Sequence, residues 1–123
     1  MAWEQRGYSI MCNTKQAMAI LGEVYHACNR AFDKKICYAY LYGSYARGDY
    51  SEESDIDILL TVDVEPEELP PYRRTVCRVC SDLGLKHDIL VSPAIEPLQQ
   101  FKRFQSTLPY YQNVLREGIR YAE

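Results

Sequence analysis

Two aspartates stand one residue apart inside an apolar run, at Asp55 and Asp57. Because side chains alternate along a β-strand, both carboxylates are expected on one face of it. An apolar strand does not hold two negative charges together unless a cation compensates them. Oxygen ligands without a neighbouring Cys or His favour a hard divalent ion, Mg²⁺. The pair therefore predicts a magnesium site.

A glycine turn lies just upstream of this strand. Gly43 and Ser44 follow an apolar run, and ten residues separate Ser44 from Asp55. Backbone N–H groups and a hydroxyl at the start of a helical turn bind phosphate oxygens. A phosphate cradle beside a magnesium site is what a nucleoside triphosphate requires. Arg47, in the same turn, is interpreted as a phosphate ligand, as a contact to an acidic partner surface, or as a solvated charge.

Two aspartates on one strand leave a metal site short of ligands, which predicts a third carboxylate from a neighbouring strand. The next predicted strand, residues 85–91, contains one acid, Asp88, among apolar residues. These residues also have interpretations without a metal. Asp88 would then be a solvent-facing residue of an edge strand, and Asp55 and Asp57 would be a pair of exposed strand carboxylates.

Gly43, Ser44, Asp55 and Asp57 together form the pattern G-S-x10-D-x-D. This pattern resembles the signature of the nucleotidyltransferase superfamily that includes DNA polymerase beta. Within that superfamily, residues 38–121 are most similar to the minimal nucleotidyltransferases, which are often antitoxins paired with a HEPN-domain toxin.

The resemblance implies an activity and a set of site residues. The implied reaction is transfer of AMP from ATP to a tyrosine of a cognate HEPN toxin, which silences the toxin. Two Mg²⁺ ions would orient the triphosphate, and Asp88 would help to deprotonate the acceptor hydroxyl. The implied catalytic and metal-binding residues are Asp55, Asp57 and Asp88, and the implied nucleotide-binding residues are Gly43, Ser44 and Arg47.

Two other functions stay open. One is a binding module that neutralises the toxin by contact and keeps the nucleotide fold as a scaffold. The other is one subunit of a small-molecule nucleotidyltransferase whose pocket a HEPN-like partner completes. Little chain follows the third predicted strand, so the acceptor is expected to be held by a partner or to be the partner.

Residues 1–123 are predicted to form a single α/β (α+β) domain, with a small mixed sheet packed against helices. The predicted elements are a helix over 13–34 with Asn13 or Thr14 as N-cap, strands over 36–42, 55–62 and 85–91, a helical turn over 44–47, a helix over 72–83 stopped by Gly84, and helices over 95–105 and 109–121.

The last predicted helix has an unusually wide apolar arc. It is interpreted either as a helix clamped on two sides within the monomer or as an exposed surface for another subunit. The arc contains Leu108, Tyr111, Leu115, Ile119 and Ala122, extended by Tyr110, Val114 and Tyr121.

Charge and composition exclude several classes of protein. The net charge is −3, and residues 49–68 carry nine acidic side chains and no Lys or Arg, which disfavours stable nucleic-acid binding. No apolar run approaches the ~20 residues of a membrane span, and residues 1–10 lack the apolar core of a signal peptide. Five cysteines without framework spacing predict reduced thiols in the cytoplasm. Cys77 and Cys80 have no second pair, so they do not predict zinc.

Overall fold

The computed structural model describes residues 12–122. The elements are α1 (Thr14–Ala31), β1 (Ile36–Tyr42), α2 (Ser44–Arg47), β2 (Ile56–Val62), a 3₁₀ turn (Pro66–Glu68), α3 (Leu69–His87), β3 (Val91–Pro97), α4 (Leu98–Phe104), α5 (Pro109–Glu117) and β4 (Ile119–Arg120).

The four strands form one mixed sheet in the order β3–β2–β1–β4. β1 pairs antiparallel with both β2 and β4, whereas β2 and β3 run parallel and are joined through α3. A parallel pair requires such a crossover, because the chain must return to the starting edge of the sheet. The predicted α/β class with a small mixed sheet is confirmed.

The two faces of β2 pack in different hydrophobic cores. Ile56, Ile58, Leu60 and Val62 point into the main core, where they pack with side chains of α1 and α3. Asp57, Leu59 and Thr61 alternate with them and lie on the opposite face. There Leu59 packs in a smaller core with Tyr40, Phe101, Tyr111 and Val114. Asp57, at the start of β2, lies on the face that this smaller core covers only in part.

Helix α1 begins where the sequence indicates. Asn13 is its N-cap: its side chain accepts a hydrogen bond from the Gln16 backbone, and the Gln16 side chain accepts one from the Asn13 N–H. This reciprocal capping box satisfies two N–H groups at the helix start. The helix ends at Ala31, three residues before the predicted end.

The predicted strand over residues 85–91 is wrong. Helix α3 continues through Gly84 to His87, and Asp88 is its C-cap residue in the left-handed conformation (φ 54°, ψ 48°). The helix is extended by contacts to α1, because Lys86 and His87 both reach the Glu23 carboxylate, at 3.2 and 3.0 Å. Leu85 is 81% exposed, so its apolar character does not mark a buried strand.

Strand β3 lies further along the chain than predicted and includes Pro93. Proline is tolerated there because β3 is an edge strand and its free side needs no N–H donor. The helix predicted over 95–105 is accordingly shortened to α4, which begins only after the strand ends.

The helix predicted over 109–121 ends at Glu117. Ile119 and Arg120 leave the helix and pair with Leu41 and Tyr40 at the free edge of β1. The wide apolar arc is therefore divided between several environments. Tyr111 and Val114 are buried, while Leu108, Tyr110 and Leu115 are 41%, 40% and 39% exposed. Within residues 12–122 no helix is long and apolar enough to cross a membrane.

Candidate active site

The turn between β1 and α2 presents its backbone at one edge of the sheet. Gly43 adopts φ 75° and ψ −156°, which reverses the chain directly after Tyr42. The N–H groups of Ala46 and Arg47 both donate to the Gly43 carbonyl, at 3.1 and 3.0 Å. The N–H groups that begin such a turn have no partner within it, so they are available to an anion.

Tyr45 anchors this turn to the rest of the domain. Its side chain is only 1% exposed, and its ring stacks on Tyr50 with the ring centroids 4.6 Å apart. Its carbonyl oxygen accepts a hydrogen bond from Thr14 Oγ1 at 2.6 Å, which ties the turn to the start of α1. No role for Tyr45 or Tyr50 can be predicted from the sequence, because their partners are set by the tertiary structure.

Asp57 lies directly against the glycine turn. In the β1–β2 ladder it stands opposite Tyr42, the residue that precedes Gly43. A Cβ atom at Gly43 would overlap the Asp57 Oδ2 atom. The carboxylate and the backbone of the turn are thus in contact, and only glycine fits between them.

The carboxylate pair carries an electrostatic strain that a cation would relieve. Burial raises the pKa of Asp57, the charge of Asp55 raises it further, and Arg47 lowers it. Asp55 and Asp57 are therefore close enough to repel each other, with Arg47 as a partial counter-charge. Two adjacent oxygen donors of this kind fit a hard divalent cation.

Arg47 lies at the rim of this pair. It forms an ion pair with Asp49 at 3.2 Å and a longer one with Glu117 at 3.7 Å. The Arg47 side chain is 42% exposed, so its guanidinium has room to change ion-pair partners.

Asp88 is not brought together with Asp57. The β2–β3 register places Ser92 beside Asp57, and Asp88 lies four residues earlier, outside the strand. Asp88 instead lines a cavity of about 370 Å³ that Asp55 and Tyr45 also line. Within residues 12–122 no three His, Cys, Asp or Glu side chains form a group that could hold a metal ion.

Two cysteines and two histidines do not line the cavity that Asp55 and Asp88 share. Cys77 is exposed and Cys80 is buried in the main core. His87 contacts Glu23. His26 is an exposed residue of α1, and its Nε2 atom lies 3.3 Å from the Tyr121 hydroxyl.

One feature beside Asp57 was not predicted from the sequence. The Tyr42 and Tyr110 hydroxyls are hydrogen-bonded at 2.8 Å. The alternation of β1 would have placed Tyr42 on the face of Asp57 once the strand pairing was known. The approach of Tyr110 depends on how α5 crosses the sheet, for which the sequence carries no signal.

The nucleotidyltransferase domain model matches residues 28–116, which include β1, the glycine turn, β2 and α3. The chain belongs to this family. Two similar proteins of Methanocaldococcus jannaschii are each named "putative protein adenylyltransferase". One is 40% identical over 63% of this chain and 70% of its own length, and the other is 47% identical over 45% of this chain and 54% of its own length.

A solved structure supports the fold of this nucleotidyltransferase. It is the crystal structure of a "putative nucleotidyltransferase" from Sulfolobus solfataricus, with a TM-score of 0.60. The match has 21% sequence identity and covers 87% of this chain and 80% of that one. Nucleotidyl transfer is the activity of the family to which the chain belongs.

Proposed function

We propose that this nucleotidyltransferase is a Mg²⁺-dependent protein adenylyltransferase that moves AMP from ATP to a tyrosine of a HEPN-domain toxin and so acts as its antitoxin. Nucleotide binding is supported by the contact between the glycine turn and Asp57. This contact places backbone N–H groups suited to phosphate beside a carboxylate pair suited to a metal ion. The names of the M. jannaschii relatives support a protein as acceptor. The resemblance to the minimal nucleotidyltransferases supports a HEPN-domain toxin as that acceptor.

Each residue of the edge has a proposed task. Asp55 and Asp57 would hold Mg²⁺, with two ions expected, and the bound cations would supply positive charge that neutralises the triphosphate. Ser44 and the N–H groups of its turn bind the β- and γ-phosphates, and Arg47 binds a phosphate at the rim. Within residues 12–122 neither the Asp55 nor the Asp57 carboxylate is held by a hydrogen bond or an ion pair, which fits a metal-binding role better than a structural one.

Asp88 is proposed as the third carboxylate. Its support is the cavity that it shares with Asp55 and the implication of the family resemblance. In this role it accepts the proton of the acceptor hydroxyl as the new phosphate ester forms.

Because the proposed toxin acts inside the cell, we propose that the toxin and this protein are both cytoplasmic. The thiols of this chain are compatible with that compartment, because the cysteines within residues 12–122 are all unpaired.

The decisive experiment measures intact masses. The purified protein is incubated with Mg²⁺-ATP and its HEPN partner, and the intact masses of both chains are measured by mass spectrometry. We expect one or more AMP units on the partner, none with Asp57→Asn, and an unchanged result with Asp63→Asn. Asp63 is a matched control because it is an exposed aspartate directly after the same strand.

Other outcomes would assign the other functions. Tight association without a mass gain on either chain would contradict adenylyl transfer and favour neutralisation by contact. AMP on an added small alcohol but not on the partner would favour a small-molecule enzyme.

A further inference from the structure

A pair of phenols stands beside the carboxylate pair on the same face of the sheet. Tyr42 is the ladder partner of Asp57, and the charge of Asp57 acts on the Tyr42 phenol. The Tyr42 hydroxyl is bonded to that of Tyr110 at 2.8 Å, and the two rings are T-shaped with their centroids 5.7 Å apart. The Tyr110 hydroxyl is thus linked to Asp57 through a single intervening side chain.

Tyr110 is the accessible member of the pair. It is 40% exposed, and it is the one tyrosine within residues 12–122 that the solvent reaches to this extent. The other described tyrosines are buried or half-buried. Within residues 12–122, a reactive phosphate held at this edge of the sheet therefore has one open phenol nearby, that of Tyr110.

The position of Tyr110 is fixed by its neighbour on α5. The Tyr111 hydroxyl donates to Glu96 Oε1 on β3 at 2.7 Å, and Gln100 Nε2 donates to both of these groups at 3.0 Å. This network attaches the first turn of α5 to the sheet. Tyr110 is consequently held over the Asp57 end of the sheet, and its hydroxyl does not have to be positioned by a partner.

We propose that Tyr110 is a self-adenylylation site, modified in cis when ATP is bound and no protein acceptor is present. The inference rests on the proposed function and extends it to a second acceptor. The Tyr110 Oη atom forms a bond to the α-phosphorus of ATP, and the bond from that phosphorus to the bridging oxygen breaks. Pyrophosphate leaves with the electron pair, and the phenolic proton passes to solvent water.

The protonated state of the phenol is compatible with this step. Burial, followed by the hydrogen bond with Tyr42, raises the pKa of Tyr110, so the hydroxyl is neutral before the reaction. Phosphoryl-type transfer proceeds through a loose transition state that needs little charge on the incoming oxygen.

The modification would also affect the site itself. The ester oxygen on Tyr110 can no longer donate a hydrogen bond to Tyr42, and the attached nucleotide occupies the space over Asp57. Modified protein is therefore expected to transfer AMP to a partner more slowly than unmodified protein.

The test uses the full chain with Mg²⁺-ATP and without a partner, followed by intact mass and peptide mapping. We expect one AMP unit on Tyr110, loss of this unit in Tyr110→Phe, and its retention in Tyr72→Phe. Tyr72 is a matched control because it packs on Phe32 at the far side of the main core. The cis reaction further predicts a rate per molecule that does not change on dilution.

Several outcomes would overturn the inference. They are AMP on another residue, retention of the unit in Tyr110→Phe, and a rate that falls on dilution. Absence of the unit in a preparation that still labels its partner would also overturn it while leaving the proposed function intact. Absence of AMP from both chains would instead contradict the proposed function.

Discussion

The Gly43 backbone and the Asp57 carboxylate are packed against each other so closely that a single added carbon on Gly43 would overlap Oδ2. One residue belongs to the glycine turn and the other to the carboxylate pair. Their contact couples the two halves of the site, because a shift in the turn moves the carboxylate. The positive φ of Gly43 reinforces the same requirement, since other residues rarely adopt it.

Gly43→Ala is expected to slow transfer strongly while leaving most of the fold in place. The new methyl group must displace Asp57 or open the turn, and misplacing a catalytic group by about 1 Å costs roughly 100-fold in rate. Backbone strain adds about 1–3 kcal/mol to the loss of stability. Turnover and the thermal unfolding midpoint of the variant would be measured together.

Gly48→Ala is the matched control for this experiment. Gly48 also has a positive φ, of 92°, but an added Cβ would meet nothing within 4 Å. It therefore reproduces the strain without the overlap, and its activity should stay close to that of the wild type. Equal losses of activity in both variants would show that strain, and not the Asp57 contact, is responsible.

The parts of the site that could be predicted from the sequence are those built from local signals. The glycine turn and the strand that carries Asp57 are short elements with strong turn residues at their ends, and both lie where the sequence indicated. Their spacing alone also suggested that the turn and the carboxylates meet.

The failures have long-range causes. Helix α3 passes Gly84 because Lys86 and His87 pair with Glu23, more than sixty residues away in the chain. The apolar residues that follow Gly84 are typical of a short strand, but the tertiary contacts override this pattern. The sequence pattern therefore places Asp88 in a strand, whereas in the structure it caps a helix.

Asp88→Asn tests the third carboxylate without disturbing the helix end. Asn adopts the left-handed conformation as readily as Asp, so the free energy of unfolding should change by less than about 0.5 kcal/mol. If Asp88 receives the acceptor proton, kcat should fall by roughly 100-fold or more while the KM for ATP stays nearly constant. The variant would be compared by steady-state kinetics with Asp82→Asn, an exposed aspartate on the same helix. An unchanged kcat would remove Asp88 from the site.

The buried thiols predict a loss of stability at high pH. Burial raises the pKa of Cys80 to about 12 and that of Cys28 to about 11, from an ordinary 9.0. The folded state holds these protons more tightly than the unfolded state. Their contribution to the free energy of unfolding is therefore complete below pH 9.0 and is lost as the pH rises towards those pKa values. Urea midpoints measured over this range should fall less steeply in Cys80→Ala than in the wild type. Cys77→Ala, which alters an exposed thiol, should keep the wild-type slope.

Two variants distinguish Arg47 as a phosphate ligand from Arg47 as a contact to a partner. Its ion pairs with Asp49 and Glu117 are partly exposed, so Arg47→Ala should cost less than about 1 kcal/mol of stability. A phosphate ligand at this position predicts a clear rise in the KM for ATP, because both a charge-assisted hydrogen bond and a counter-charge to Asp57 are removed. Glu117→Gln breaks the longer ion pair but keeps the guanidinium, so its KM should be equal to or below that of the wild type. An unchanged KM in Arg47→Ala with weaker binding of the toxin would assign Arg47 to the partner surface.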